Sequence, residues 1–213
     1  MNLDYLPHVK PEPFRDASRI VISCEGAWTE PNYFDHFKEK SRKLTVHLIG
    51  KDEDPSLSAP KYVLDRTVRY IEKLGLSRTD EVYLVIDVDR WDKEAFRDLH
   101  ELCQKYPKWH LILSNPCFEV WLYMHKMNTF PPPPITSKHM KHLLSLQIPG
   151  GYHPVEYIPD VKIAMKNAVL LDLSPTHYFP GPNSTKMHIL AKRLIEILGE
   201  NDFQQLIQSL KKN

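Results

Sequence analysis

Val82-Tyr83-Leu84-Val85-Ile86 is a run without a charge or a turn-forming residue, and it passes directly into Asp87-Val88-Asp89. A strand that is apolar at both sets of alternating positions has no face to give to water. It suits a parallel sheet with helices on both sides. Similar segments lie on either side of it. Arg19 to Cys24 and Leu44 to Ile49 precede it and Trp109 to Leu113 follows, each a short β-branched or apolar run.

Between these strands the apolar period changes to that of a helix. Thr29 is placed to cap a helix from about Pro31 that turns Tyr33, Phe34 and Phe37 inward. Ser58 and Pro60 open a second, with Leu64, Val68 and Ile71 on one face and Gly75 at its end. Phe96, Leu99, Cys103 and Tyr106 mark a third. Ser114-Asn115-Pro116 reads as a cap followed by proline, opening a fourth from Pro116 to about Met127. Strand and helix thus alternate four times, which predicts an α/β domain with a Rossmann-like parallel sheet of about four strands flanked by helices.

The expected organisation is an irregular arm over residues 1–18, an α/β core over 19–128 and a mostly helical C-terminal extension over 129–213. The extension begins with Pro131 to Pro134. Helices are expected near 137–146, 161–171, 186–198 and 202–210, with the loop Tyr178 to Asn183 before the last two. The 213 residues are 42% hydrophobic and 26% charged, enough for a full core without disulfides or a structural metal. Three cysteines without a paired motif suggest buried thiols in a reducing compartment. With no stretch of membrane-spanning length and no signal-peptide core, a cytoplasmic protein is expected. The net charge of +1 carries no polyanion signal, so any nucleic-acid surface must come from local clustering.

Ligands of open parallel sheets bind outside the carboxyl ends of the strands. Glu25 follows the first strand, Asp87 and Asp89 end the third, Asn115 ends the fourth, and Glu119 lies just beyond it. Two carboxylates two residues apart repel one another unless something positive joins them. Mg²⁺ takes oxygen ligands, often only one or two carboxylates with water and substrate phosphate, and polarises a phosphoryl oxygen. The plainer readings are a polar loop start for Asp-x-Asp and a tight turn for Glu25-Gly26.

These residues resemble the RloB-like protein family. Cys24-Glu25-Gly26, Thr29-Glu30-Pro31 and Tyr33-Phe34 are similar to its first block, and Asp87-Val88-Asp89 with Trp91 to its second. Ser114-Asn115-Pro116-Cys117-Phe118-Glu119, Trp121-Leu122 and His125 are similar to its third and most distinctive block. Asn183-Ser184-Thr185 is a weaker fourth match, so the resemblance spans roughly Arg19 to Leu198. It implies a TOPRIM-like fold and a Mg²⁺- or Mn²⁺-dependent nuclease of DNA or RNA in a restriction-associated or anti-phage system, often with an ATPase partner. In those terms Glu25 is the general acid/base, Asp87 and Asp89 hold the metal, Glu119 and Glu25 complete its shell, and Asn115 and Ser114 contact substrate. Trp91 stands where many TOPRIM enzymes carry a further acid, leaving Asp92, Glu119, Glu30 or water as a third ligand. The rival expectation is a non-catalytic module that binds nucleic acid or nucleotide and acts with an ATPase. A phosphatase or nucleotide hydrolase using the same acids is a third.

Other residues have two readings. Glu30 suits a helix N-terminus as well as catalysis. Trp91 could stack on a base or cap the sheet edge. Lys162/Lys166 and Lys192/Arg193, with Lys186 after the Asn183 loop, could track phosphates or be wet helix faces. His139 and His142 share a helical face but lack a zinc pattern, the flanking Lys138 and Lys141 suggest a solvated basic surface, and His125 reads as a structural histidine.

Overall fold

The structure is a computed structural model, and it describes residues 17–38, 41–50, 59–132, 135–148 and 152–211. Most of the expected N-terminal arm, Ser58 of the second helix cap and the last two prolines of the Pro131 run lie outside the described residues. Ser18, placed in the arm, already belongs to the first strand. Five strands form one sheet in the order β2-β1-β3-β4-β5. They are β1 (Ser18–Cys24), β2 (Leu44–Ile49), β3 (Glu81–Asp87), β4 (Trp109–Asn115) and β5 (Ser184–Thr185). The α/β class is as expected, and the sheet has one strand more than the four read from the sequence.

The described residues fall into two compact units: those up to Val85 with Asp92–Leu111, and Ile86–Trp91 with those from Ile112 onward. Both β3 and β4 pass from the first into the second. In the first unit, β1 pairs in parallel with β2 and with β3, Ile22 lying opposite Leu48 and Tyr83. This central place explains why β1 is buried from Ile20 to Cys24. The bond Val82 N–H to Lys108 O, 2.8 Å, places the start of β3 beside the start of β4.

Helix α1 (Thr29–Asp35) begins at Thr29 itself, two residues before the expected Pro31, with Trp28 as the preceding cap. It packs on β2, while α2 (Pro60–Leu74) packs on β1, β2 and α3 (Lys93–Lys105). Gly75 ends α2 at φ 75°, a left-handed conformation that glycine takes without strain. Its carbonyl accepts from Arg19 Nη1 at 2.9 Å, and Arg19 also meets Asp80 at 3.6 Å. The turn is thereby tied back to β1.

In the second unit, α4 (Glu119–Met124) is buried at every position. It starts three residues later than the cap-plus-proline signal predicts. Residues through Asn115 are still occupied by strand pairing, and the Asn115–Pro116 peptide bond is cis. Helices α5 (Ser137–Gln147) and α6 (Val161–Leu171) pack on α4, α7 (Met187–Leu198) packs on α6, and α8 (Glu200–Leu210) packs on α7. The orphan carbonyls at the end of α4 are met by Asn167, whose Nδ2 donates to Met124 O at 2.8 Å and to Met127 O at 3.1 Å. Strand β5 pairs antiparallel with the end of β4, Ser114 opposite Thr185 and Asn115 opposite Ser184. Two residues are too few to show a period, so the sequence leaves them in a loop.

His125 closes α4 as a structural residue. Its Nδ1 lies 2.9 Å from Trp121 O, and its ring meets Trp121 and Tyr157 edge-on at 4.9 and 5.6 Å. Complete burial is the main cause that lowers its pKa to about 4, from an ordinary value of 6.5. Burial lowers His188 in the same direction. Unfolding between pH 6.5 and 4 therefore takes up protons, and stability falls as pH drops through that window. For His125 the loss is on the order of 3 kcal/mol. Denaturant unfolding at a series of pH values checks this: His125→Gln should be less stable at neutral pH but lose distinctly less than the wild type on acidification.

Candidate functional site

The Asp-x-Asp segment leaves β3 at Asp87 and turns at once. Val88 N–H donates to Ser114 O at 3.0 Å and to Pro116 O at 3.1 Å, and Asp89 N–H donates to the same Pro116 oxygen at 3.0 Å. One carbonyl thus takes two successive amides. Together with Val82 to Lys108, the bond from Val88 to Ser114 keeps one offset, which makes β3 and β4 parallel. The turn closes through Trp91 N–H to Val88 O at 3.2 Å. Proline suits its place because β4 ends there and no amide is wanted.

The side chains of this unit gather around Cys117, which is 1% exposed. Burial, above all, pushes its thiol far above the ordinary range. The charges of Glu119 and Asp87 and a hydrogen bond to Glu119 push the same way, and Ser137 acts against them. Cys117 is therefore a neutral thiol among carboxylates, and its surroundings record that Asp87, Glu119 and Ser137 converge. Ser137 Oγ–H also donates to Asp89 Oδ2 at 2.6 Å. Arg90 Nε stands 3.8 Å from Asp89 Oδ1, and Lys141 Nζ 3.7 Å from Glu119 Oε1. The structure thus brings Asp87, Asp89 and Glu119 to the end of β3 and the start of α4, with the first turns of α5 beside them.

Glu25 belongs to the first unit. It is buried, its N–H donates to Val85 O at 3.0 Å, and the carbonyl of Cys24 before it accepts from the guanidinium of Arg66. Both polar groups of the Cys24–Glu25 peptide are held by these two bonds. Gly26 N–H is held by Glu30 Oε1 at 3.3 Å, and a Cβ on Gly26 would fall 2.6 Å from that oxygen. A side chain at position 26 would therefore displace the Glu30 carboxylate, and Glu30 is accounted for as the partner of the Gly26 amide. Asp92, another candidate third ligand, caps α3 by accepting Ala95 N–H at 3.0 Å.

The expected substrate contacts fare differently. Ser114 is buried, its Oγ 2.7 Å from Thr185 Oγ1, and Asn115 Nδ2 donates to Pro180 O at 3.1 Å. Both anchor β5 and its preceding loop. Trp91 is half-buried in the turn after Asp89. Lys186 departs most from the phosphate-tracking role: it is 2% exposed, paired with Asp172, and bonded to Ser174 O at 2.9 Å. Lys162 meets Glu200 at 2.7 Å, and Lys192 and Arg193 meet Glu196 at 3.8 and 3.7 Å. Sequence reasoning missed Cys117, Ser137 and Lys141. For the last two, Thr136 signals only where α5 begins, by accepting His139 N–H at 3.2 Å, and what its first turn faces is set by packing on α4.

Among the described residues, no group of three or more His, Cys, Asp or Glu side chains could hold a metal ion as it stands. No described helix is long and apolar enough to cross a membrane. All three cysteines are free and buried.

The RloB-like protein family model matches residues 20–194. The chain belongs to the RloB-like family. No curated protein and no solved structure matches it. The blocks that carried the resemblance acquire a physical meaning here. The third supplies the Pro116 carbonyl that holds the second, and its Ser114-Asn115 pairs with Ser184-Thr185 of the fourth.

Breaking a buried ion pair strands the remaining charge, whereas replacing both partners need not. Lys186→Met should therefore destabilise the protein by about 3–5 kcal/mol, and a second change, Asp172→Leu, should recover a large part of that. Denaturant midpoints of the two single variants and the double variant measure the coupling.

Proposed function

We propose that this RloB-like protein hydrolyses phosphodiester bonds in nucleic acid with the help of Mg²⁺ or Mn²⁺, on an α/β fold of TOPRIM type. The observation that carries the reading is the clamped Asp87-Val88-Asp89 turn, whose Asp87 stands with Glu119 beside a buried thiol and whose Asp89 accepts from Ser137. The donor set suits a hard, hydrated cation. Mg²⁺ needs only one or two protein carboxylates besides water and phosphate, so the lack of a preformed three-ligand group among the described residues agrees with it. Asp87 and Asp89 would hold the ion, with Glu119 alongside, and it would supply charge to a phosphoryl oxygen and lower the pKa of a water.

The chain's own groups do the positioning. The Pro116 carbonyl fixes the backbone of Val88 and Asp89, so the two acids do not have to be ordered when substrate arrives. Ser137 orients Asp89 by donating to one of its oxygens. Glu25, at the end of β1, is the proposed proton-transfer group, on the strength of its sequence block. Ser114 and Asn115 act by holding β5, and Trp91 is left as a surface for a base. The proposed setting is the cytoplasm, in restriction-associated or anti-phage defence with an ATPase partner.

One observation favours a second reading, a non-catalytic module that binds nucleic acid or nucleotide beside an ATPase. Asp89 and Glu119 already have partners in Ser137 and Lys141. Incubation with Mn²⁺ and labelled single- and double-stranded DNA and RNA distinguishes the two. The wild type should cleave at least one of these, chelation should stop it, and Asp87→Ala should lower the rate by at least about 100-fold while leaving the fold intact by circular dichroism. Equal cleavage by both proteins would remove the acids from the mechanism. Absence of both cleavage and Asp87-dependent Mn²⁺ binding in calorimetry would leave the binding module.

A further inference from the structure

Several basic residues of the second unit have a carboxylate within reach: Lys126 with Asp160 at 2.6 Å, Lys162 with Glu200, Lys186 with Asp172, and Lys192 and Arg193 with Glu196. Helix α5 differs in composition. Ser137-Lys-His-Met-Lys-His-Leu-Leu-Ser-Leu-Gln147 contains no acid. It buries Met140 and Leu144 and leaves Lys138, His139, Lys141 and His142 exposed.

Among the described residues, the one ion pair that α5 makes is with the candidate site. Lys141 Nζ stands 3.7 Å from Glu119, the lysine side chain 64% exposed and the glutamate 10%. Ser137, one turn earlier on the same side of the helix, donates to Asp89 at 2.6 Å. The helix thus touches both acids with residues i and i+4, and Lys138, beside Ser137, has no carboxylate within ion-pair reach among the described residues. An exposed lysine at this distance is held weakly, by less than about 1 kcal/mol. It can leave Glu119 for a phosphate oxygen at little cost, and each phosphate so neutralised releases a condensed counterion.

We propose that α5 is the cationic side of the site: Lys141 takes the phosphate presented to the acids, and Lys138 a neighbouring phosphate of the same strand. The inference rests on reading those acids as a phosphodiester site and names the residues that bring the substrate to them. The chemistry recognised is the sugar–phosphate backbone common to DNA and RNA.

Fluorescence anisotropy with short fluorescein-labelled single-stranded DNA and RNA oligonucleotides tests it, in EDTA so that nothing is cut, over a salt series. The wild type should bind at least one of the two, and which one identifies the source. Lys141→Ala should weaken binding about 10-fold and lower the slope of log affinity against log salt by about 1, and Lys138→Ala/Lys141→Ala should lower it by about 2. Lys141→Arg should bind like the wild type, as should Lys192→Ala on α7. The proposal is overturned if the double variant matches the wild type in affinity and slope, or if the wild type binds neither oligonucleotide. Asp87→Ala keeps the two questions apart. It should retain binding in EDTA and lose Mn²⁺-dependent cleavage, so a fault in the reading of the acids shows in cleavage and a fault in the role of α5 shows in binding.

Discussion

A single carbonyl oxygen, that of Pro116, accepts the amides of both Val88 and Asp89, and much of the second unit is arranged around it. Each bond of this kind contributes only about 1 kcal/mol net to stability. Its geometric effect is larger. An i, i+2 pair of carboxylates at a strand end tends to splay because like charges avoid each other. Here the backbone beneath them is held from one side, and Ser137, Arg90 and Lys141 meet Asp89 and Glu119 from the other. The turn that carries these carboxylates is thereby fixed before any ligand arrives.

The same oxygen explains why the third block of the family is compact. Ser114 accepts from Val88, Pro116 accepts from Val88 and Asp89, Cys117 sits among the acids, and Glu119 opens α4. A short run of chain first ends a strand, then grips the neighbouring turn, then starts a buried helix. Proline serves the middle step because it ends the donor pattern of the strand while keeping its acceptor. Reading Asn115-Pro116 as a helix start missed that step, since the cap-plus-proline signal says nothing of what the carbonyl does.

Much else was legible. Strands β1 to β4 announced themselves through β-branched and apolar runs and α2 and α3 through their apolar period, and helices were expected close to where α5, α6, α7 and α8 stand. Asp87 and Asp89 were legible because a parallel sheet puts strand ends to use. What escaped has physical reasons. Strand β5 has two residues, fewer than any period needs. Lys186 looked like surface because lysine almost always is, and only the fold brings Asp172 to it. Lys141 looked like one charge of a wet helix, because the distance to Glu119 depends on how α5 packs on α4.

The direction of β5 decides what the C-terminal part of the chain contributes. In an antiparallel partner of β4, the first residue of the strand, Ser184, lies opposite Asn115, and the residue that leaves it, Lys186, gives its amide to the Leu113 carbonyl at 2.9 Å. The loop that ends at Asn183 is therefore carried to the carboxyl end of β4, where Pro180 is bound by Asn115, and the lysine is carried away from it into the interior. A parallel fifth strand would have done the reverse, setting a cation beside the acids and the loop at the far end. The chain's direction through two residues thus turns the Lys186 side chain into the interior, and the lysine that does stand beside the acids, Lys141, is an exposed one on a helix, able to let go.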